Sequence, residues 1–393
     1  MMNYIKRFVF FLLVMIMVPL LSFASEPIVI GLPLPLSGKQ TEDGRMMKDS
    51  FEMAGKTINQ QGGINGRPLR LVYADDQGKE STGEQIVKEL VESAKAVMLV
   101  GGHTSAPTYA MAKVADNLDV PFLVCTASAD RITQKRWKNI YRLNPPVSEY
   151  TKGLEDFWMK NLKPKSMSII YENSMFGING ATYMMGFCQE NGIDIRSTVG
   201  YSSERTDLAY FRSILALQVE DPPDLIYMVS RLDDGAALVK AIREVKIDAV
   251  LCGGAGGFTS QEFIKRAGKA SDRLLTATLW SHQLPYPGAK AYYDRFLQVY
   301  SYPPDYHGAE AYSALLVAAD ALKRAESLIS KNIREALNKT LMLTPFGPVK
   351  FYFYEDFERQ NTIRTLVLQI INGTFEVIWP LDVASARFVL PDR

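Results

Sequence analysis

This 393-residue sequence is poor in the residues of thiol and metal chemistry, with three cysteines and three histidines. Cys125, Cys188 and Cys252 have no motif spacing, and each sits in an apolar, strand-like stretch where a free cysteine behaves as a small buried hydrophobe. A disulfide framework is therefore not the basis of the fold, and a single Cys188–Cys252 bridge is the one pairing left open in an oxidising compartment. His103, His282 and His307 have no metal-ligand spacing, so neither a metal nor a cofactor is expected. An excess of one charge is missing too. Lys and Arg total 44 against 43 Asp and Glu, and without a basic cluster a dedicated nucleic-acid or membrane-surface binder is disfavoured. No tandem repeat or low-complexity segment occurs. Nor is there a G-x-S-x-G, H-E-x-x-H, C-x-x-C or junctional G-x-G-x-x-G, so an exported enzyme ranks well below a binding protein.

One apolar run does stand out. Phe8–Leu21 follows the basic pair Lys6-Arg7 and precedes Ser22-Phe23-Ala24, the pattern of a secretory signal with cleavage near Ala24/Ser25. The run is short for a membrane span, although an uncleaved signal anchor competes with this reading. No cysteine lies near the cleavage point, so no lipid anchor is expected. The mature chain should be exported, soluble and periplasmic.

Beyond residue 25 short apolar runs alternate with amphipathic helical patterns, the signature of α/β lobes with parallel sheets. Candidate crossings between two such lobes fall at the turn signals near Pro145, Leu279 and Gly347. They divide the chain into a first lobe, residues 26–144 plus 279–347, and a second, residues 145–278 plus 348–393.

The most informative stretch is 96–130, AVMLVGGHTSAPTYAMAKVADNLDVPFLVCTASAD, which parses as strand, turn, helix, strand, turn. In parallel sheets small ligands bind beyond the carboxyl ends of the strands. Both hydroxyl-rich turns, His103-Thr104-Ser105 and Thr126-Ala127-Ser128, fall there, and the first opens a helix whose free N–H groups favour an anion. Two glycines permit close backbone approach. The residues fit a pocket for a small carboxylate, while ordinary capping and turn roles remain the competing explanation.

The motifs IVIGLPLPLSG, INQQGGINGRPLRLVYADD, LVGGHTSAPT, VPFLVCTASAD, IIYENSMFGINGA, EFIKRAG and TPFGPVKF occur in the order found in type I periplasmic binding proteins of the leucine/isoleucine/valine-binding group. Over nearly the whole mature chain the sequence resembles that family. The resemblance implies two Rossmann-like lobes joined by three hinge crossovers, closure on a small-molecule ligand, and an inner-membrane ABC permease as partner; a monomer is expected. It implies that Ser105 contacts a ligand carboxylate, that Ser128 is shared between ligand carboxylate and amine, and that Thr126 contacts ligand through its backbone, with His103, Thr104 and Ala127 beside them. The second lobe departs from the pattern. Phe176 stands where a tyrosine is expected, and Arg231 or Leu232 replaces a second tyrosine. The turn around Gly254 lacks the acid that should pair with a ligand ammonium, and a buried ammonium without such a partner is costly. Asp43 is one substitute, and Asp233 and Asp234 are others, though these open a helix and suit capping. Arg231 reads either as a contact to a second anionic group or as a rim arginine paired with an acid. Trp280 reads either as an apolar pocket wall or as interlobe packing. The ligand expected is a branched-chain or other apolar amino acid, with an aromatic or 2-oxo carboxylate, or a sensory role, as the alternative.

Overall fold

The computed structural model describes residues 26–254 and 256–390, so the expected signal segment and its cleavage point lie outside the described residues. Ten strands come first: β1 (Ile28–Leu34), β2 (Leu69–Asp75), β3 (Met98–Gly101), β4 (Phe122–Val124), β5 (Ile140–Arg142), β6 (Ser166–Glu172), β7 (Asp194–Tyr201), β8 (Leu225–Val229), β9 (Val250–Gly253) and β10 (Leu275–Thr278). A short hairpin, β11 (Met342–Leu343) and β12 (Pro348–Val349), precedes β13 (Tyr352–Tyr354), β14 (Phe357–Gln360), β15 (Leu366–Ile371) and β16 (Thr374–Trp379).

Two seven-stranded sheets result, ordered β13-β14-β5-β4-β3-β1-β2 and β16-β15-β10-β9-β8-β6-β7. Strands β1 to β5 and β14 run parallel in the first sheet, and β6 to β10 in the second. Strands β1, β3, β4 and β8 are buried along their whole length. Helices cover both faces of such sheets, which is why these strands read as continuous apolar runs rather than as alternating ones. Edge strand β7 instead alternates exposed and half-buried positions. Strand order reverses between β1 and β3 and again between β6 and β8, and a crevice opens at such a reversal beyond the strand carboxyl ends.

The chain leaves the first sheet after β5, through Asn144-Pro145-Pro146, and returns after β10 at Leu279. Helix Tyr306–Arg324 then packs on helix Thr41–Gln60, which ties the returning segment to the first lobe. The third crossing corrects the boundary expected at Gly347. Strand β14 pairs in parallel with β5, and Asn361 N–H donates to the Arg142 carbonyl (2.9 Å), so residues 352–360 belong to the first lobe. The chain crosses between Gln360 and Leu366, where β15 joins β10 antiparallel. The Phe346-Gly347-Pro348 turn closes the β11–β12 hairpin, with Thr344 and Gly347 exchanging backbone hydrogen bonds. A turn signal alone does not separate a hairpin from a crossover.

Cys125, Cys188 and Cys252 are free and buried, so the Cys188–Cys252 bridge is not formed. The Cys188 thiol contacts Met167 Sδ at 3.6 Å, and burial pushes its pKa up to about 11, leaving it a packing residue. Among the described residues no helix is long and apolar enough to cross a membrane.

Candidate functional site

The carboxyl ends of the two parallel sheets face each other across a cleft. At its mouth Lys39, just past β1, lies 2.8 Å from Glu204 and donates to the Ser203 carbonyl, both just past β7. At the far side Thr259 Oγ1 donates to Asp305 Oδ2 across the lobes (3.1 Å). Helix Ser105–Asn117 of the first lobe touches helix Met175–Asn191 of the second. A cavity of about 420 Å³ lies between Lys39, Gln40, Glu172, Arg231 and Asp234, within the size range of small-ligand sites.

On the first-lobe wall, β3 ends in Gly101 and Gly102, both at positive φ, and a Cβ on Gly102 would lie 2.7 Å from Thr108 Cγ2. Only glycine permits the backbone to turn this tightly into the helix at Ser105. His103, Ser105, Thr126, Ala127 and Ser128 are all buried there. Ser105 Oγ accepts from Ala129 N–H (3.2 Å), which ties the turn after β3 to the turn after β4. His103 Nδ1 makes a second tie to Thr126 Oγ1 (2.9 Å), and Thr104 Oγ1 is buried without a partner. The hydroxyls expected at the carboxylate pocket thus converge on one wall.

Asp43 joins that wall from the helix after β1. Its Oδ2 lies 3.2 Å from His103 Nε2, and the rings of His103 and His307 are 5.2 Å apart. The donor atoms of Asp43, His103 and His307 all fall within 4.8 Å of one another. Linear spacing along the chain gave no sign of this grouping. The returning segment brings His307 across from some two hundred residues away, a proximity that linear spacing does not carry. Burial acts to raise the Asp43 pKa, but His307, His103 and Arg231 together hold it well below the usual carboxylate range. Burial pushes His103 below its ordinary value, against the pull of Asp43. His307 stays above its ordinary value despite burial, because Asp305 and Asp43 face it.

The second-lobe wall is organised by Arg231, just past β8. Its Nε lies 3.1 Å from Glu172 Oε1 at the end of β6, and its guanidinium sits 4.3 Å from the centre of the Phe176 ring. Arg231 is thus a largely buried arginine paired with a glutamate; burial opposes its charge, and Glu172 and Asp43 outweigh that. Asp234 accepts from Arg231 N–H and caps the helix it opens, and Asp233 pairs with Arg266 of the next helix, Gln261–Ala267.

At Gly254, Gly256 and Gly257 the turn after β9 has no room for the missing acid. A Cβ on Gly254 would lie 2.3 Å from the Tyr227 hydroxyl, one on Gly256 3.1 Å from the Phe176 ring, and one on Gly257 2.1 Å from the Arg231 backbone. Close packing against β8 and its following residues accounts for the composition of this turn. Trp280 is buried at the hinge, its indole N–H donating to the Pro345 carbonyl (2.8 Å) and its ring edge-on to Tyr292. One side of it borders a cavity of about 140 Å³ that also touches Thr259 and Asp305.

Three residues of the cleft escape sequence reading. Tyr150, whose hydroxyl accepts from Asn144 Nδ2 and whose ring meets Phe176 edge-to-face at 6.5 Å, reads only as part of a helix after the double proline. Glu172 and Asp305 are not singled out by the sequence at all. Their partners Arg231 and Thr259 lie far along the chain, and no local signal marks them.

Residues 27–372 match the family model described as periplasmic binding protein. The chain is similar to "Leu/Ile/Val-binding protein homolog 7" of Brucella melitensis biotype 1, 23% identical over 387 residues that cover 94% of this chain and 95% of that one. In fold it is similar to the branched-chain amino acid transporter substrate-binding protein LivJ from Streptococcus pneumoniae in complex with isoleucine, with TM-score 0.80, 22% identity and coverage of 90% and 100% of the two chains. It is also similar to an ABC-transporter solute-binding protein from R. palustris in complex with benzoate, with TM-score 0.79, 19% identity and coverage of 92% and 98%. Two doubly wound lobes, a cleft at both switch points and a family match over nearly the whole described chain place it plainly: the chain belongs to the periplasmic binding protein family.

Proposed function

We propose that the chain is the extracytoplasmic solute-binding component of an ABC importer and captures a small carboxylate, foremost an apolar amino acid, in the cleft. The observation that carries this reading is the convergence of Ser105, Thr126 and Ser128 at adjoining strand ends, with an unpartnered Thr104 hydroxyl beside them. Hydroxyls and free N–H groups at a helix start are donors matched to a carboxylate. Phe176 and Tyr150 supply apolar surface opposite. Export through a cleaved signal near Ala24/Ser25, a periplasmic location without a lipid anchor, a membrane permease as partner, a monomeric state and binding without turnover all belong to this proposal.

A specific observation favours the second reading, an aromatic or 2-oxo carboxylate. Asp43, the acid nearest the carboxylate wall, already faces His103, His307 and Arg231, and the glycine turn holds no other acid. A ligand without an ammonium needs no such partner. The R. palustris protein noted above is in complex with benzoate.

Thermal unfolding of the purified protein with apolar amino acids, their 2-oxo acids and benzoates separates the readings. A ligand at about a hundred times its dissociation constant adds roughly 2.7 kcal/mol. Stabilisation by amino acids supports the first reading and makes Asp43→Asn the next variant. Stabilisation by amine-free carboxylates alone selects the second. Silence across the panel, or an unchanged response in Ser105→Ala, removes the carboxylate pocket.

A further inference from the structure

We propose that Asp43, His103 and His307 form a three-ligand site for one divalent transition-metal ion of the Zn²⁺ class, with its open coordination position on the cleft. Two histidine nitrogens and one carboxylate are a donor set such ions favour, and a three-residue site leaves a further position for water or a ligand oxygen. The donor atoms already lie within 4.8 Å of one another. Zn²⁺ bonds of about 2.0–2.1 Å in a tetrahedron set neighbouring donors roughly 3.3 Å apart. The Asp43 Oδ2 to His103 Nε2 separation is 3.2 Å.

A second, independent observation points to an occupant. His103 is 2% exposed, and its Nε2 is buried without a hydrogen-bond partner although the Asp43 carboxylate is so near. A buried, unsatisfied ring nitrogen costs free energy unless something occupies it. Meanwhile the outer nitrogens are held. His103 Nδ1 is bonded to Thr126 Oγ1 at 2.9 Å, and His307 Nδ1 lies 3.1 Å from both oxygens of Asp305. Outer partners of this kind fix ring orientation and tautomer around metals. Tyr306 stacks on His307 with ring centres 3.9 Å apart and holds that ring further.

Access and charge are consistent with an ion. Asp43 also borders a cavity of about 150 Å³ shared with Leu232, Ser260 and Gln261 of the second lobe, which supplies an entry path. Arg231 faces the cluster, but its charge is matched by Glu172 at 3.1 Å. The ion would stand on the Nε2 side of His103, whose Nδ1 is tied to Thr126 on the wall that also carries Ser105. A carboxylate in the cleft could then take the open position.

The test is calorimetric titration of chelator-treated protein with ZnCl₂ alone, paired with the visible spectrum after Co²⁺ addition. The expected result is one ion per chain and a four-coordinate Co²⁺ band. Both should be lost in His103→Ala and in His307→Ala at unchanged far-ultraviolet circular dichroism, and both retained in His282→Ala, whose ring stacks on Tyr293 elsewhere. Thr126→Val should weaken Zn²⁺ binding by about 10–100-fold, as loss of an outer partner does. Absence of stoichiometric binding in the wild type overturns the proposal, as does binding that persists in the folded His103→Ala/His307→Ala double variant. No carboxylate enters the titration, so its failure leaves the ligand reading standing, and failure of the ligand panel leaves the metal site standing.

Discussion

Lys39 in the first lobe and Glu204 in the second form an ion pair across the mouth of the cleft, with 2.8 Å between Nζ and Oε1. Both side chains are more than half exposed, so the pair belongs to the class worth about 0.2–1 kcal/mol. Its place between the lobes means that this small energy acts on closure. Lys39→Ala should weaken ligand binding by up to roughly fivefold, with little change in thermal stability. Calorimetry at low and high salt checks it, because the difference between wild type and variant should shrink as salt screens the pair. A difference that is insensitive to salt would remove the electrostatic account.

Arg231 and Glu172 are paired under different conditions, with side-chain exposures of 15% and 5%. Removing one member of a buried pair leaves an uncompensated charge and costs about 3–5 kcal/mol. Glu172→Gln should therefore destabilise the protein by about 3 kcal/mol, read as a lower denaturation midpoint. The double change Glu172→Gln/Arg231→Met should recover much of that loss, since no charge is then stranded.

The glycine turn makes a steric prediction. Gly257→Ala places a methyl 2.1 Å from backbone carbon of Arg231, an atom that cannot swing aside. The expected cost is about 1–3 kcal/mol, with weakened ligand binding because Arg231 is displaced. Gly186→Ala, where nothing lies within 4 Å of the added methyl, is the matched control and should be neutral or slightly stabilising.

Glu310 is wholly buried, neither carboxylate oxygen has a hydrogen-bond partner, and burial drives its pKa well above the ordinary carboxyl value. The native state thus holds a proton that the unfolded chain releases near pH 4.5, so this group's contribution is full below that value and declines as pH rises. Asp76, pushed up to about 6 by burial, acts in the same direction between its unfolded value of 3.8 and about 6. Glu310→Gln keeps the shape and removes the titration. It should match the wild type near pH 4.5 and become increasingly more stable than it toward pH 8, measured by chemical denaturation across that range. A constant offset between the two curves would contradict the raised pKa.

The repeating strand and helix units, and the two turns after β3 and β4, were legible because their signals are local. Buried parallel strands are continuous apolar runs, and hydroxyls beside glycine mark a helix start at a strand end. The β13–β14 excursion was not legible. Nothing local tells Tyr352–Gln360 which sheet edge to join, and the pairing sets Gln360 of β14 against Arg142 of β5. Arg142 is fully buried there, its Nε donating to Gln360 Oε1, a polar match invisible to hydrophobic patterning.

The two α/β lobes were readable from the chain alone, because buried parallel strands and amphipathic helices follow from periodicity and turn chemistry over a few residues. The side-chain partners were set by the folded arrangement. Asp43, His103 and His307 stand far apart in the chain, and Glu172 and Arg231 sit on different strands. They meet because parallel sheets gather the ends of distant strands at one edge, and the second crossing returns helix Tyr306–Arg324 to the first lobe. Charge pairing at a cleft is a property of that gathering. Short-range pattern carries the elements, and chain topology carries the chemistry between them.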